Sequence, residues 1–248
     1  MLEVLHRGHA KGVALSDPLP LQVIVLPGLD GTGWLSVPFV DELRAHGLDA
    51  RVLALPCTGA QDYSTLAKLL RPQLPAQPFV LLAESFAGPL AMELAAGPLP
   101  GLRGLVLCTT FARRPVPFPA SAAKGLAPAW PMPPVPLMAR LLLGRWRTRN
   151  NQQALQDALA QVPSSVLRQR AAATLRVDVR ALLPRIQAPT LNVQALQDRL
   201  LWPPSVRELQ ALLPNARHIA IEGPHLLLQA RAEPAAALIA RWIKALPG

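Results

Sequence analysis

Short apolar runs alternate with helical patterns along most of this chain. The apolar runs have the length and composition of buried strands, and the segments between them place apolar residues at helical spacing. Such alternation is typical of a mostly parallel sheet with helices on both faces. The predicted strands are 21–26, 50–55, 79–82, 102–108, 189–194 and 217–221, and the predicted helices include 38–46, 63–74, 89–94, 178–186, 206–213 and 234–246.

The alternation stops between residues 113 and about 186. Prolines crowd the first third of this stretch and exclude a long helix or a sheet strand there, so we predict loop and short turns. Helical patterns follow the prolines, around residues 137–147, 152–161 and 165–175.

This break divides the chain into two parts. We predict an α/β core formed by residues 1–112 and 186–248, with residues 113–185 inserted between two core strands as a helical lid. The insertion is apolar without being strand-like, which favours burial over a site. With 248 residues, of which 51% are hydrophobic, the chain can bury one large core.

The strongly basic composition needs an explanation. A net charge of +10 often marks a nucleic-acid or membrane partner. Most basic residues are scattered singly, however, with clusters only at 145–149 and 113–114, and there is one tyrosine and no interleaving of aromatic and basic residues for base stacking. We therefore expect no nucleic-acid binding. An arginine-rich host proteome would explain the charge, and attraction to an acidic carrier protein or an anionic lipid surface is the alternative.

Cysteine content and leader pattern bear on the compartment. Cys57 and Cys108 provide neither a disulfide framework nor a metal quartet, which fits a reducing environment. Residues 1–18 lack the apolar stretch of a signal peptide. No run reaches the roughly 18 apolar residues that span a membrane. We expect a cytoplasmic protein that is not an integral membrane protein.

A serine stands on the turn between a buried strand and a helix. Ser85 follows the apolar run that begins at Phe79, and Ala83 and Ala87 flank it at two residues on either side. A nucleophile elbow carries small residues at these positions because the chain doubles back tightly. The alternative is an ordinary turn in which Ser85 caps the helix.

Three glycines follow the first predicted strand, in the segment 27–33. A phosphate-binding loop would need Lys followed by Ser or Thr, where this chain has Trp34 and Leu35. The glycines instead favour an oxyanion loop in which the amide of Leu29 faces Ser85. A tight structural turn is the alternative.

Two further candidates follow the last strands. Among the five histidines, only His225 comes after a strand in a loop with a small residue before it. Asp198 follows the strand 189–194, and Asp178 is a weaker candidate because helix capping already explains it. Because carboxyl ends of parallel strands meet at one edge, Ser85, Asp198 and His225 are predicted to lie together.

Four motifs carry a resemblance to a known family: LPGLDGTG, AESFAGPLA, PTLNVQALQD and IEGPHLLLQ. With the order Ser, Asp, His, they resemble the α/β-hydrolase superfamily, and most closely its small, lid-bearing bacterial esterases. The chain departs from the family pattern at the residue before Gly28, which is Pro27 instead of His, and at the elbow glycines, which are alanines. The glycine often found after the seventh strand is Ala195.

The resemblance implies a serine esterase. Ser85 would attack the carbonyl, His225 would accept its proton, and Asp198 would fix the imidazole. The amides of Leu29 and Phe86 would bind the oxyanion. No metal or organic cofactor is needed. Candidate substrate contacts are Asp30, Glu84, Trp130 and Leu226.

The expected reaction is hydrolysis of an acyl or aryl ester whose apolar group lies under the lid. Three alternatives stay open at this point. The first is cleavage of a thioester or of a carrier-bound methyl or acyl ester, which the basic surface suggests. The second is acyl transfer to an alcohol by the same residues. The third is a non-catalytic partner-binding protein with a hydrolase fold.

Overall fold

The computed structural model describes residues 21–117, 121 and 133–247. The strands of this part form one sheet in the order β2-β1-β3-β4-β5-β6, with every neighbouring pair parallel. This is the α/β architecture that the sequence predicts. The strands are β1 (Gln22–Leu26), β2 (Asp49–Val52), β3 (Phe79–Glu84), β4 (Leu102–Cys108), β5 (Thr190–Ala195) and β6 (Arg217–Ile221).

Helices connect the strands and pack on both faces of the sheet. Short 3-10 helices at Trp34–Ser36, Arg71–Gln73 and Gly144–Trp146 adjoin α-helices, and another at Arg180–Arg185 precedes β5. The α-helices are α1 (Val37–Ala45), α2 (Tyr63–Leu70), α3 (Ala87–Ala95), α4 (Val135–Leu143), α5 (Arg149–Ala160), α6 (Ser164–Arg176), α7 (Pro203–Leu212), α8 (Leu227–Ala230) and α9 (Ala232–Lys244).

The central strand β3 separates two apolar cores. All six of its residues are buried, and successive side chains point to opposite faces. Leu81 and Ala83 pack in the core that also holds residues of α2 and α3. Val80 and Leu82 pack on the opposite face, in the core with α1 and α9. Because both faces are covered, the strand reads as a continuous apolar run.

The segment between β4 and β5 contains α4, α5 and α6. Its smaller apolar cluster joins Leu143 and Leu155 to Leu35 and Leu226. In addition, the Leu226 N–H donates to the Leu142 carbonyl oxygen at 3.0 Å. The helical segment therefore packs against two loops of the core: the one after β1 and the one that carries His225.

Several element boundaries differ from the sequence prediction. β3 extends to Glu84, and β2 ends at Val52. The Leu53 N–H still donates to the Val25 carbonyl oxygen of β1 at 2.9 Å, but the Leu55 N–H donates to the Gly31 carbonyl oxygen at 2.8 Å, beyond the strand pairing. The prediction of loop for the whole proline-rich stretch is wrong at its end, since α4 begins at Val135 with Pro136 in the first turn, where proline needs no amide donor. Of the other prolines of that stretch, Pro119, Pro128 and Pro131 lie outside the described residues.

Candidate active site

Ser85 lies on a strained turn between β3 and α3. Its φ of 51° is in the left-handed region, which is costly for a residue with a Cβ. The end of the neighbouring strand holds this conformation. The Ser85 N–H donates to the Cys108 carbonyl oxygen at 3.0 Å, and the Ser85 carbonyl accepts from Thr110 Oγ1 at 2.6 Å and from the Gly88 N–H at 3.0 Å.

The close approach at this turn depends on a residue that the sequence analysis missed. Ala83 and Ala87 are fully buried, as the small residues of an elbow should be. The position that admits no side chain, however, is Gly88, because a Cβ there would overlap Oγ1, Cβ and Cγ2 of Thr110. A glycine three residues after the candidate nucleophile was the available signal.

The structure brings the three candidate catalytic side chains into one hydrogen-bonded row. Ser85 Oγ lies 2.7 Å from His225 Nε2, and His225 Nδ1 lies 2.7 Å from Asp198 Oδ2. The residues follow β3, β6 and β5 respectively, at the carboxyl edge of the sheet. With Asp198 ionised, Nδ1 carries the ring proton, so Nε2 is left to accept the Ser85 hydroxyl proton.

Asp198 is held as a carboxylate. Its Oδ1 accepts from the N–H groups of Leu200 at 2.8 Å and Leu201 at 3.0 Å. Burial acts to raise its pKa, but the charge and hydrogen bond of His225 and the two amides outweigh burial and lower the pKa. Asp178, the weaker candidate, lies outside the row and binds Arg180 at 2.7 Å.

The glycine loop runs beside the serine turn. Leu26 at the end of β1 pairs with Ala83 of β3, so the two loops leave the same edge of the sheet as neighbours. Gly28 to Gly31 form a turn closed by the Gly31 N–H donating to the Gly28 carbonyl oxygen at 3.0 Å. Within the described part of the chain, the N–H groups of Leu29 and Phe86 donate to no other residue.

The carbonyl side of this turn contacts a side chain that the sequence analysis did not identify. Arg170 of α6 is fully buried and donates to the Leu29 and Asp30 carbonyl oxygens. One signal was present: Arg170 stands three and four residues after Leu167 and Val166, two buried positions of the same helix. A charged residue on the apolar face of a helix is rarely buried without partners.

Two of the predicted substrate contacts are acidic and bond within the protein. Asp30 Oδ2 accepts from the Thr32 N–H at 3.0 Å and from Thr32 Oγ1 at 2.6 Å. Glu84 is 1% exposed, and its Oε2 accepts from Gln229 Nε2 at 2.9 Å. Burial raises the pKa of Glu84 to about 7, although the bond from Gln229 and the charge of His225 act to lower it.

The other two predicted substrate contacts are apolar. Leu226 follows His225 directly and is buried in the cluster shared with α4 and α5. Trp130 lies outside the described residues.

No helix among the described residues is long and apolar enough to cross a membrane. Over the same residues, no group of three or more His, Cys, Asp or Glu side chains could hold a metal ion.

The parallel sheet and its order of connections define an α/β-hydrolase fold. Residues 23–240 match the model of the alpha/beta hydrolase family, so the chain belongs to that family. This confirms the resemblance drawn from the four sequence motifs. No curated protein matches the sequence.

Solved structures share the fold at low sequence identity. The enol-lactonase from Burkholderia xenovorans LB400 is 18% identical, with a TM-score of 0.74 over 91% of this chain and 92% of that chain. A thermophilic esterase from Thermogutta terrifontis is 20% identical, with a TM-score of 0.76 over 92% and 90%. A bromoperoxidase from Bacillus anthracis is 16% identical, with a TM-score of 0.74 over 92% and 93%. At these identities the likeness establishes the fold, and the chemistry must be argued from the site.

Proposed function

We propose that this protein is a serine hydrolase that cleaves a carboxylic ester through an acyl-enzyme on Ser85. The proposal rests on the row in which Ser85 Oγ lies 2.7 Å from His225 Nε2 and His225 Nδ1 lies 2.7 Å from Asp198 Oδ2. A hydroxyl, an imidazole and a carboxylate in this order form the arrangement that makes a serine nucleophilic. Esterase and lactonase activities, named for two proteins of the same fold, agree with acyl-ester chemistry.

The reaction proceeds in two halves. In the first, His225 Nε2 takes the Ser85 proton as Oγ attacks the acyl carbonyl carbon, and then gives that proton to the departing alcohol. In the second, His225 takes a proton from water, the resulting hydroxide attacks the acyl-enzyme, and the proton returns to Ser85 as the carboxylic acid leaves. Throughout, Asp198 keeps the imidazole oriented and stabilises it when it is protonated.

The oxyanion of each tetrahedral intermediate needs hydrogen-bond donors. We assign this role to the N–H groups of Leu29 and Phe86, which are free within the described chain and lie on neighbouring loops. Phe86 also stands at the N-terminus of α3, where the helix dipole favours negative charge. Removing one such donor costs about 3 kcal/mol of transition-state stabilisation in a comparable enzyme.

The helical segment is assigned as the lid over the acyl group. A contact supports this assignment, because α4 packs against Leu226, the residue after His225. Leu226 is apolar and adjacent to the base, and we assign it to the wall of the acyl pocket. The carboxyl groups of Asp30 and Glu84 are already hydrogen-bonded to Thr32 and Gln229. The substrate would therefore be recognised mainly through apolar contacts.

The test is hydrolysis of p-nitrophenyl esters of increasing acyl length by wild type and Ser85→Ala. We expect the variant to lose at least about 10⁴-fold in kcat and to resist labelling by a fluorophosphonate. Ser165→Ala, which removes an exposed serine of α6, is the matched control and should behave as wild type. If Ser85→Ala hydrolyses the esters as fast as wild type, the nucleophile assignment is wrong. A wild type that neither turns over the esters nor is labelled by the fluorophosphonate would favour the partner-binding alternative, and faster product formation with added alcohol would favour acyl transfer.

A carrier-bound ester or thioester is the second candidate substrate. The observation in its favour is a basic stretch on the helical segment, where Arg147 and Arg149 are exposed close to the proposed lid helices. An acidic carrier protein would dock there, and an anionic lipid surface would be attracted by the same charge. Added salt should then slow cleavage of an acyl-carrier substrate but not of a small ester. Arg147→Glu with Arg149→Glu should have the same selective effect, whereas Arg103→Glu, exposed at the opposite edge of the sheet, should not.

A further inference from the structure

Arg170 is the largest fully buried side chain of the described protein, and it comes from the helical segment. Its guanidinium makes four hydrogen bonds to uncharged acceptors. Nε donates to Gln61 Oε1 at 2.9 Å, and Nη2 donates to the Pro56 carbonyl oxygen at 2.9 Å. Nη1 donates to the carbonyl oxygens of Leu29 at 2.9 Å and Asp30 at 2.6 Å. The residue therefore joins α6 to the loops that follow β1 and β2.

No carboxylate of the described chain lies within ion-pair distance of Arg170. The charge of the Asp30 carboxylate acts on Arg170, but that carboxylate is engaged by Thr32. A buried cation without a close anionic partner is costly, and an apolar side chain of similar size would often stabilise a fold as well or better. The guanidinium has no charge partner here. What it provides is a planar set of donors that are fixed relative to one another and match the positions of these acceptors.

Those acceptors determine how the glycine turn presents its amides. In a trans peptide the C=O and N–H groups point in opposite directions. Arg170 binds the Asp30 carbonyl, so the Gly31 N–H points away from the guanidinium and closes the turn onto the Gly28 carbonyl at 3.0 Å. That closing bond fixes the peptide unit between Gly28 and Leu29, and hence the direction of the Leu29 N–H.

The loop would not keep this shape unaided. Gly31 and Gly33 both have positive φ, and glycines give a free loop many alternative conformations. Gly31 and Arg170 also pack tightly against each other, since a Cβ on Gly31 would overlap the Arg170 guanidinium. The turn and the side chain that holds it are thus fitted to each other.

We propose that Arg170 is a positioning residue that holds the Leu29 amide in the oxyanion hole and so makes the helical segment part of the catalytic frame. This inference rests on the proposed ester hydrolysis. It extends that function by giving α6 a role in transition-state stabilisation in addition to any role in covering the substrate. Because the oxyanion exists only after attack, the effect of Arg170 falls on kcat more than on KM.

The experiment compares Arg170→Met and Arg170→Lys with Arg176→Met, an exposed arginine at the end of the same helix. We expect Arg170→Met to lower kcat about 10²-fold or more on a short p-nitrophenyl ester, with KM changed less than about threefold. Arg170→Lys keeps the charge but cannot reach all four acceptors, so it should recover only part of the loss. Arg176→Met should match wild type.

A second measurement reads the loop directly. Hydrogen exchange of the Gly31 amide should accelerate in Arg170→Met and Arg170→Lys and remain unchanged in Arg176→Met. If Arg170→Met does not fold, Arg170→Lys decides. The inference is overturned if kcat of the folded Arg170 variants stays within about twofold of wild type, if only KM rises, or if Gly31 exchange does not change.

The two proposals fail separately. Failure of ester hydrolysis is read from wild type against Ser85→Ala. Failure of the positioning role is read from the Arg170 variants against Arg176→Met, and the exchange of Gly31 reports it whether or not an ester is turned over.

Discussion

The two loops on either side of Ser85 are held by different parts of the molecule. The serine turn is fixed by groups of the sheet and of its own helix: Cys108, Thr110 and Gly88. The glycine loop is fixed by Arg170, which is 141 residues from Leu29 in the chain. The turn is therefore in place once the sheet forms, whereas the glycine loop is complete only when α6 has docked.

Buried charge also differs between the two sides. The strand leading to Ser85 ends in Glu84, a carboxyl group whose pKa is raised to about 7 by burial, so it can become neutral. The glycine loop lies against a guanidinium, which stays protonated at any ordinary pH. The effect of substituting Glu84 on the free energy of unfolding should thus depend on pH, and the effect of substituting Arg170 should not.

The largest expected effect is at Gly88, on the serine side. In Gly88→Ala the new methyl would overlap the buried Thr110 side chain, so α3 must move away from the end of β4. We expect the free energy of unfolding to fall by at least about 3 kcal/mol, the upper end of the usual cost of overpacking. Denaturant unfolding measures it.

Gly97→Ala is the matched control for this change. Its nearest neighbour would be the end of the Arg71 side chain, which can move aside, so the loss should be under about 1 kcal/mol. If Gly88→Ala is as stable as Gly97→Ala, the turn is less tightly fitted than the structure indicates.

The second effect comes from Glu84→Gln. The folded-state pKa of about 7 lies above the value of 4.5 for an unperturbed group, so the folded protein binds more protons between these pH values. The contribution of Glu84 to stability is therefore complete below pH 4.5 and declines as pH rises to about 7, by about 3 kcal/mol in total. Glutamine does not titrate. The stability of Glu84→Gln relative to wild type should rise by this amount over that range.

Unfolding curves at a series of pH values test the titration. Asp157→Asn, which neutralises an exposed carboxylate of α5, should give a pH profile parallel to that of wild type. A profile for Glu84→Gln that also runs parallel to wild type would mean that Glu84 ionises in the folded protein as it does in the unfolded chain.

The same contrast explains how much could be predicted from the sequence. The serine turn is a local pattern: a buried strand, Ser85 between two alanines, and a helix. Asp198 and His225 could be placed beside it because parallel strands share an edge, and each of them follows a strand. The six strands and the α/β class could be predicted from the apolar periodicity, which is also a local pattern.

The anchor of the glycine loop could not be predicted in this way. Arg170 is one of many basic residues, and its acceptors are backbone carbonyls, which carry no sequence signature. Only its spacing from Val166 and Leu167 set it apart. Thr110 was missed for a similar reason, since its role depends on how closely α3 approaches the end of β4.

The third prediction concerns a substitution that weakens the support of the glycine loop without removing Arg170. Gln61 accepts from Arg170 Nε and donates to the carbonyls of Thr58 at 3.1 Å and Gly59 at 3.2 Å. Gln61→Leu leaves a buried guanidinium N–H unsatisfied, so we expect the protein to lose about 2 kcal/mol of unfolding free energy. Gly31 exchange should accelerate, but less than in Arg170→Met.

Gln73→Leu, at an exposed glutamine, is the control for Gln61→Leu and should change stability by less than about 0.5 kcal/mol. Equal losses in the two leucine variants would show that Gln61 does not support the guanidinium.

The smallest effect is expected from Thr110→Val, which removes one hydrogen bond from the serine turn and preserves shape. The Ser85 carbonyl keeps the Gly88 N–H as donor, so the loss should be about 1 kcal/mol of unfolding free energy and several-fold in kcat. Thr110→Ser retains the hydroxyl and should keep kcat close to wild type, even if loss of the methyl lowers stability. Gly31 exchange should stay unchanged in both variants, because their effects remain on the serine side. Faster Gly31 exchange in Thr110→Val, equal to that in Gln61→Leu, would instead mean that the two loops are held as one unit.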